Sequence, residues 1–263
     1  MEYSRWYEDL IKNGLKHSRV VIVSGVRQCG KTTLLKRIYS DSDNNFTFRS
    51  LDDDDLLQLA LDDPKGFIKH QAKTMIIDEV QKAPKLLPAV KMAVDKSNDK
   101  GQFLLTGSAD INLLPEVYES LAGRIRNIRL RPLTQGEILL RKPSFLNNVL
   151  KLKFPAQIKG YDKREIVKLA FRGGYPEVLT LSEKERNSWF KNYVNAILMR
   201  DLRNISNISR FESIISLFPI LSSWSSKFID LSAIATNLGT SRNTLRSYIT
   251  LLKTLFLFDE IPA

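Results

Sequence analysis

The chain has 263 residues, 43% of them apolar and 26% charged, with a formal net charge of +11. That is the composition of a soluble globular protein with one large domain or two to three small ones. No apolar run approaches a bilayer span, the start Met1-Glu2-Tyr3-Ser4-Arg5-Trp6 has no apolar signal segment, and the single cysteine, Cys29, excludes an internal disulfide; a cytoplasmic protein without a membrane partner is expected.

The charge is unevenly spread. Residues 1–130 carry 20 Lys+Arg against 18 Asp+Glu, and residues 131–263 carry 20 against 11. The basic excess of the second half suits nucleic acid, whose phosphates bind cationic surfaces with release of counterions, and equally suits generic solubility.

In chain order, Val20-Val21-Ile22-Val23 is a β-branched run that reads as a buried strand. Gly25-Val26-Arg27-Gln28-Cys29-Gly30-Lys31-Thr32-Thr33 follows and fits G-x-x-x-x-G-K-[ST]. Leu34 to Ile38 then has amphipathic helical spacing. Strand, loop and helix together are the context in which this pattern binds a nucleoside triphosphate. Gly25 and Gly30 let the backbone curl its N–H groups toward phosphate oxygens, and the helix N-terminus adds partial positive charge. Lys31 can reach the β- and γ-phosphates, and the Thr32 hydroxyl can ligate Mg²⁺. Cys29 reads as a small residue tolerated in the loop.

Further strands are expected at Phe46–Phe48, Thr74–Ile77, Gln102–Thr106 and Ile125–Leu130, with helices near 54–61, 64–72, 83–96 and 113–121. Alternating strands and helices imply a parallel sheet covered on both faces, with ligands at the strand C-terminal ends. The run Asp52–Asp55 at a helix start is explained by N-capping. Met75-Ile76-Ile77-Asp78-Glu79 ends a buried strand in two acids. Asp78 is placed to hold Mg²⁺ and Glu79 to deprotonate a water, which favours hydrolysis over binding alone. Thr106, and Ser108 beside it, could sense the γ-phosphate or the attacking water. Arg124 could neutralise transition-state charge, in cis or from a neighbour; the nearby Arg126 and Arg129 leave a simply basic strand as the alternative.

These motifs resemble the AAA-type ATPases of the extended AAA+ class found in archaea and bacteria, which typically carry a C-terminal domain of unknown function. The matching segments are the Gly25–Thr33 loop, Leu51-Asp52-Asp53, Ile76-Ile77-Asp78-Glu79-Val80-Gln81, Leu104-Leu105-Thr106-Gly107-Ser108, Ser120-Leu121-Ala122-Gly123-Arg124, Pro132-Leu133 with Glu137, and Gly173-Gly174-Tyr175-Pro176-Glu177. The resemblance implies an ATPase fold, a helical lid after the core, ATP and Mg²⁺ as ligands, and oligomeric or DNA-linked action. It also implies that members continue past a point like Ala263, so that this chain is a short member or a piece of a longer one.

The expected organisation is α/β: a P-loop ATPase core over 1–135, a connector and helical lid over 136–210, and a winged helix-turn-helix over 211–263. Pro132, Pro143 and Pro155 mark the connector; Asp162–Phe171 and Ser188–Leu202 read as helices. At the end, a helix at Leu231–Leu238, the turn Gly239-Thr240-Ser241 and a helix at Arg242–Leu252 have the pattern of a helix-turn-helix. The second helix would present Ser241, Arg242, Asn243, Thr244 and Arg246 to DNA. Leu255-Phe256-Leu257-Phe258 is the expected start of a wing strand. Such a unit also serves for protein docking. The function expected is Mg²⁺-dependent ATP hydrolysis coupled to a DNA-related process; the alternative is a nucleotide-gated DNA- or protein-binding switch with little turnover.

Overall fold

The computed structural model describes residues 3–40, 46–108, 123–153, 160–201 and 211–261. The chain divides into two compact units, Met1–Arg186 and Asn187–Ala263. Among the described residues no helix is long and apolar enough to cross a membrane.

The first unit is built on five parallel strands: β1 (Val20–Ser24), β2 (Phe46–Ser50), β3 (Thr74–Asp78), β4 (Phe103–Gly107) and β5 (Ile125–Arg129), in the order β2-β3-β4-β1-β5. Every residue of β1, β3 and β4 is buried, which is why these segments read as unbroken apolar runs rather than as alternating ones. The two edge strands are only partly covered.

Its helices are α1 (Tyr7–His17), α2 (Lys31–Ser40), α3 (Asp54–Asp62), α4 (Pro64–Phe67), α5 (Leu86–Lys96), α6 (Gln135–Ile138), α7 (Phe145–Leu150) and α8 (Lys163–Arg172). One sheet face, formed by Val20, Ile22, Met75, Ile77, Phe103 and Leu105, shares a buried cluster with Ala60 of α3, Phe67 of α4, and Leu86, Leu87 and Val90 of α5. The opposite face is buried too, through Val21, Val23, Ile76 and Leu104. Here α1 packs against β1, and a Cβ on Gly14 would lie 3.1 Å from the Val21 side chain.

Helix starts follow their local chemistry. Asp53 caps α3 by accepting from the Leu56 N–H at 3.1 Å, as the aspartate run led one to expect, and Asp52 pairs with Lys82 at 2.7 Å. Asp162 caps α8 in a reciprocal capping box with Glu165. The helix expected near 113–121, with Ser120, Leu121 and Ala122, lies outside the described residues. Helix α1 was not foreseen in the sequence.

Helix α9 (Glu183–Ala196) crosses the boundary between the units, and a π-helical turn, Ile197–Asp201, continues it. The second unit holds α10 (Phe211–Ser223), α11 (Leu231–Asn237) and α12 (Arg242–Thr254). Ile234 and Ala235 of α11 and Leu245, Tyr248, Ile249 and Leu252 of α12 are buried, and these two helices pack on each other. The turn between them passes through Gly239 at φ +58°, a left-handed conformation that glycine takes without a Cβ clash.

The expected wing strand is corrected. Leu255, Phe256 and Leu257 instead close α12: the Phe256 and Leu257 N–H groups donate to the Lys253 and Leu252 carbonyls at 2.9 Å, with Phe256 left-handed. A four-residue apolar run is too short for periodicity to separate a strand from the wrapped end of a helix.

Candidate functional site

Because the strands are parallel, all their C-terminal ends share one edge of the sheet, and the loop after β1 sits at that edge between the ends of β4 and β5. Its first residue is fixed from two sides. The Gly25 N–H donates to the Gly107 carbonyl at 3.2 Å, and a Cβ on Gly25 would strike the Leu130 carbonyl. The loop bends through two left-handed residues, Gln28 at φ 58° and Gly30 at φ 94°, before α2 starts at Lys31.

Lys31 is 5% exposed, and its ammonium donates to the Gly25 and Val26 carbonyls at 2.9 and 3.0 Å. One residue on, the Thr32 hydroxyl donates to Asp78 Oδ2 at 2.8 Å. The carboxylate of Asp78 is itself buried and takes a second hydrogen bond, on Oδ1, from the Thr106 hydroxyl. The Thr106 oxygen in turn accepts from the Glu79 N–H at 3.2 Å. A chain of polar contacts thus runs from the start of α2 through the end of β3 to the end of β4.

Glu79 leaves β3 in a left-handed conformation (φ 59°, ψ 43°), which turns its side chain away from the strand direction. Its carboxylate accepts from the Gln81 side-chain amide, which also donates to the Ser108 hydroxyl at 3.0 Å.

Behind the loop stands Arg5. Its side chain is 5% exposed and makes a salt bridge with Glu137 at 3.0 Å; it also donates to the Cys29 carbonyl at 2.7 Å and to the Arg131 carbonyl at 2.5 Å. The Glu137 side chain, wholly buried, also accepts from the N–H groups of Trp6 at 3.0 Å and Thr134 at 2.9 Å. Burial pushes the Cys29 thiol up, while the Lys31 and Arg5 charges pull it the other way.

Residues 17–139 match the model of a family described as an AAA domain, and residues 163–263 match one described as a domain of unknown function. Over residues 17–139 the chain is therefore similar to the AAA-domain family. Two curated relatives, the uncharacterized proteins Rv2008c of Mycobacterium tuberculosis and Mb2031c of Mycobacterium bovis, are each 26% identical over 240 residues, which is 91% of this chain and 48% of theirs. The chain therefore spans about half the length of the curated relatives it matches. Among solved structures, the Walker-type ATPase PABY2304 of Pyrococcus abyssi superposes over 97% of this chain and 90% of its own with a TM-score of 0.60 at 14% identity, a likeness of fold.

The structure brings together most of the expected residues: the Gly25–Thr33 loop, Asp78, Glu79 and Thr106. Thr106 is fully buried, and its hydroxyl donates to Asp78 and accepts from the Glu79 N–H. Ser108 is the strand-end hydroxyl tied to the Glu79 side chain, by way of Gln81.

Arg124 is not at this edge. Its carbonyl accepts from the Val20 N–H, so it lies at the start of β5, and its side chain pairs with Asp95 at the end of α5. A five-residue strand separates it from the loop edge, roughly 16 Å at about 3.3 Å per residue. The expectation that it acts on the loop of its own chain is corrected by the direction of β5.

Arg5, Gln81 and Glu137 carry geometry that was not read from the sequence. Thr134-x-x-Glu137 is a capping-box pattern, so that pair was legible. Arg5 has no local signal at all.

Ser241, Arg242, Asn243 and Arg246 are exposed at the start of α12, and Thr244 is half-buried. The Ser241 side chain caps the helix by accepting from the Thr244 N–H at 3.0 Å.

Proposed function

We propose that the chain binds ATP with Mg²⁺ at the loop edge and hydrolyses it. The observation that carries this reading is the contact between the Thr32 hydroxyl and the buried Asp78 carboxylate at 2.8 Å. One carboxylate and one hydroxyl, both hard oxygen donors, suit Mg²⁺, which keeps the rest of its shell as water and phosphate oxygen. The cation would supply charge neutralisation at the phosphates.

Residues Gly25, Val26, Arg27, Gln28, Cys29, Gly30 and Thr33 form the phosphate cradle with the amides of Lys31 and Thr32. Lys31, now bonded to two loop carbonyls, exchanges them for phosphate oxygens, a trade that strengthens its bonds because both partners are then charged. Glu79 takes a proton from the attacking water as its oxygen bonds to the γ-phosphorus; the bond to the β-phosphate oxygen breaks, leaving ADP and phosphate. Thr106 keeps Asp78 and Glu79 in register. Arg124 would serve only in trans, at the loop of a neighbouring copy.

Residues 136–210 are the connector and lid of this reading, and 211–263 a helix-turn-helix unit that couples turnover to DNA through Ser241, Arg242, Asn243, Thr244 and Arg246. The basic excess of residues 131–263 supports that coupling.

The test is turnover of Glu79→Gln. It should bind ATP as the parent does and lose turnover by about 10²-fold or more. Undiminished hydrolysis would remove Glu79 from its role. A parent that binds ATP without hydrolysing it would favour the switch reading.

A further inference from the structure

We propose that Gln81 is a positioning residue of the hydrolytic site: its amide group holds the Glu79 carboxylate and shares with it the attacking water. The inference rests on the ATPase reading above and assigns a part of that site to a residue that nothing in the phosphate chemistry had called for.

The placement is local. Gln81 lies in the 3₁₀ turn Val80–Lys82, which begins directly after Glu79 and is closed by the Lys82 N–H donating to the Glu79 carbonyl at 3.0 Å. The left-handed Glu79 backbone and this tight turn bring the side chain of residue 81 back onto that of residue 79.

The orientation of the amide follows from its partner. An ionised carboxylate only accepts, so the Gln81 nitrogen, not its oxygen, must face Glu79. Its two N–H groups are then fully used, one on Glu79 Oε2 and one on the Ser108 hydroxyl at 3.0 Å. Ser108 stands at the end of β4, so the amide is anchored to a rigid strand end.

Oε1 of Gln81 is left over. It is buried, and among the described residues it accepts no hydrogen bond. A buried carbonyl oxygen without a donor has lost its hydration with nothing in return, so the position calls for one. A water molecule supplies it: one of its protons goes to Gln81 Oε1 and the other to the Glu79 carboxylate beside it. Two acceptors held by one amide fix both protons of that water, and with them the direction of its lone pair. Such orientation acts on the chemical step rather than on the affinity for ATP.

A plain tether between the ends of β3 and β4 would behave differently, and three variants separate the two. Gln81→Met keeps the volume and removes both polar ends. Its kcat should fall about 10- to 100-fold, with the KM for ATP within about threefold of the parent and an unchanged melting temperature. Ser108→Ala, which frees the amide without removing it, should lose less. In Glu79→Gln/Gln81→Met the second substitution should add nothing to the loss from the first, because both act on one water. A Gln81→Met protein with parental kcat would overturn the proposal. So would one that loses ATP affinity and thermal stability along with kcat, or a double variant in which the two losses multiply. A parent without turnover would overturn the ATPase reading, and this inference with it, whereas an active parent with an unimpaired Gln81→Met overturns the role of Gln81 alone.

Discussion

Two helix starts in this molecule carry polar side chains that sequence patterns single out, and they spend them differently. At the start of α2, Lys31 is 5% exposed and held by two carbonyls, and Thr32 is bonded to a buried carboxylate. At the start of α12, Arg242, Asn243 and Arg246 stand in solvent, and the Ser241 side chain serves the helix itself. In the first, each side chain is defined by its partners, so the chemistry can be argued group by group. In the second, the backbone is defined and the side chains point outward, so only their charge speaks for a partner. A buried polar network acts over short distances in low dielectric and has one arrangement, whereas an exposed basic helix acts through a field that salt screens.

The sharpest way to break this contrast is at Arg5, which buttresses the buried end. Replacing it with methionine leaves the buried Glu137 carboxyl without its cation, so Arg5→Met should destabilise the first unit by about 3–5 kcal/mol in urea denaturation. A loss below about 1 kcal/mol would mean that the loop does not depend on this brace. At the exposed end the expected effect is smaller and of another kind. If the chain binds duplex DNA, Arg242→Ala/Arg246→Ala should weaken that binding and lower the slope of log affinity against log salt by about 2, with unfolding unchanged. Salt-independent or absent binding by the parent would end the DNA coupling. The smallest effect is Ser241→Ala, which removes a cap and should cost about 1 kcal/mol, measurable by thermal unfolding and recovered in Ser241→Asp.

What was legible in the sequence divides along the same line. The strands β1, β3 and β4 announce themselves because burial on both faces demands continuous apolar runs, and the loop because glycine and lysine spacing reflects backbone geometry. Asp53 and Ser241 are readable as caps because a cap and its target are neighbours in the chain. Arg5 was not readable: its partners Cys29, Arg131 and Glu137 lie 24, 126 and 132 residues away, and only the closed sheet brings them together. Arg124 misled because closeness in sequence to the site motifs says nothing about which end of a strand a residue occupies. The run Leu255–Phe258 misled because its apolar content serves the end of a helix as well as a strand.

The left-handed backbone at Glu79 sets the interest of the fold against that of the site. An L-residue with a Cβ held there costs about 1–2 kcal/mol relative to a right-handed conformation, and glycine would escape the clash. A chain under pressure for thermal stability alone would therefore drift toward glycine at this position and shed the carboxylate that Gln81 holds. Variants found by heat selection should be read with that in mind: a gain in melting temperature that arises at residue 79 is a gain at the expense of the chemistry.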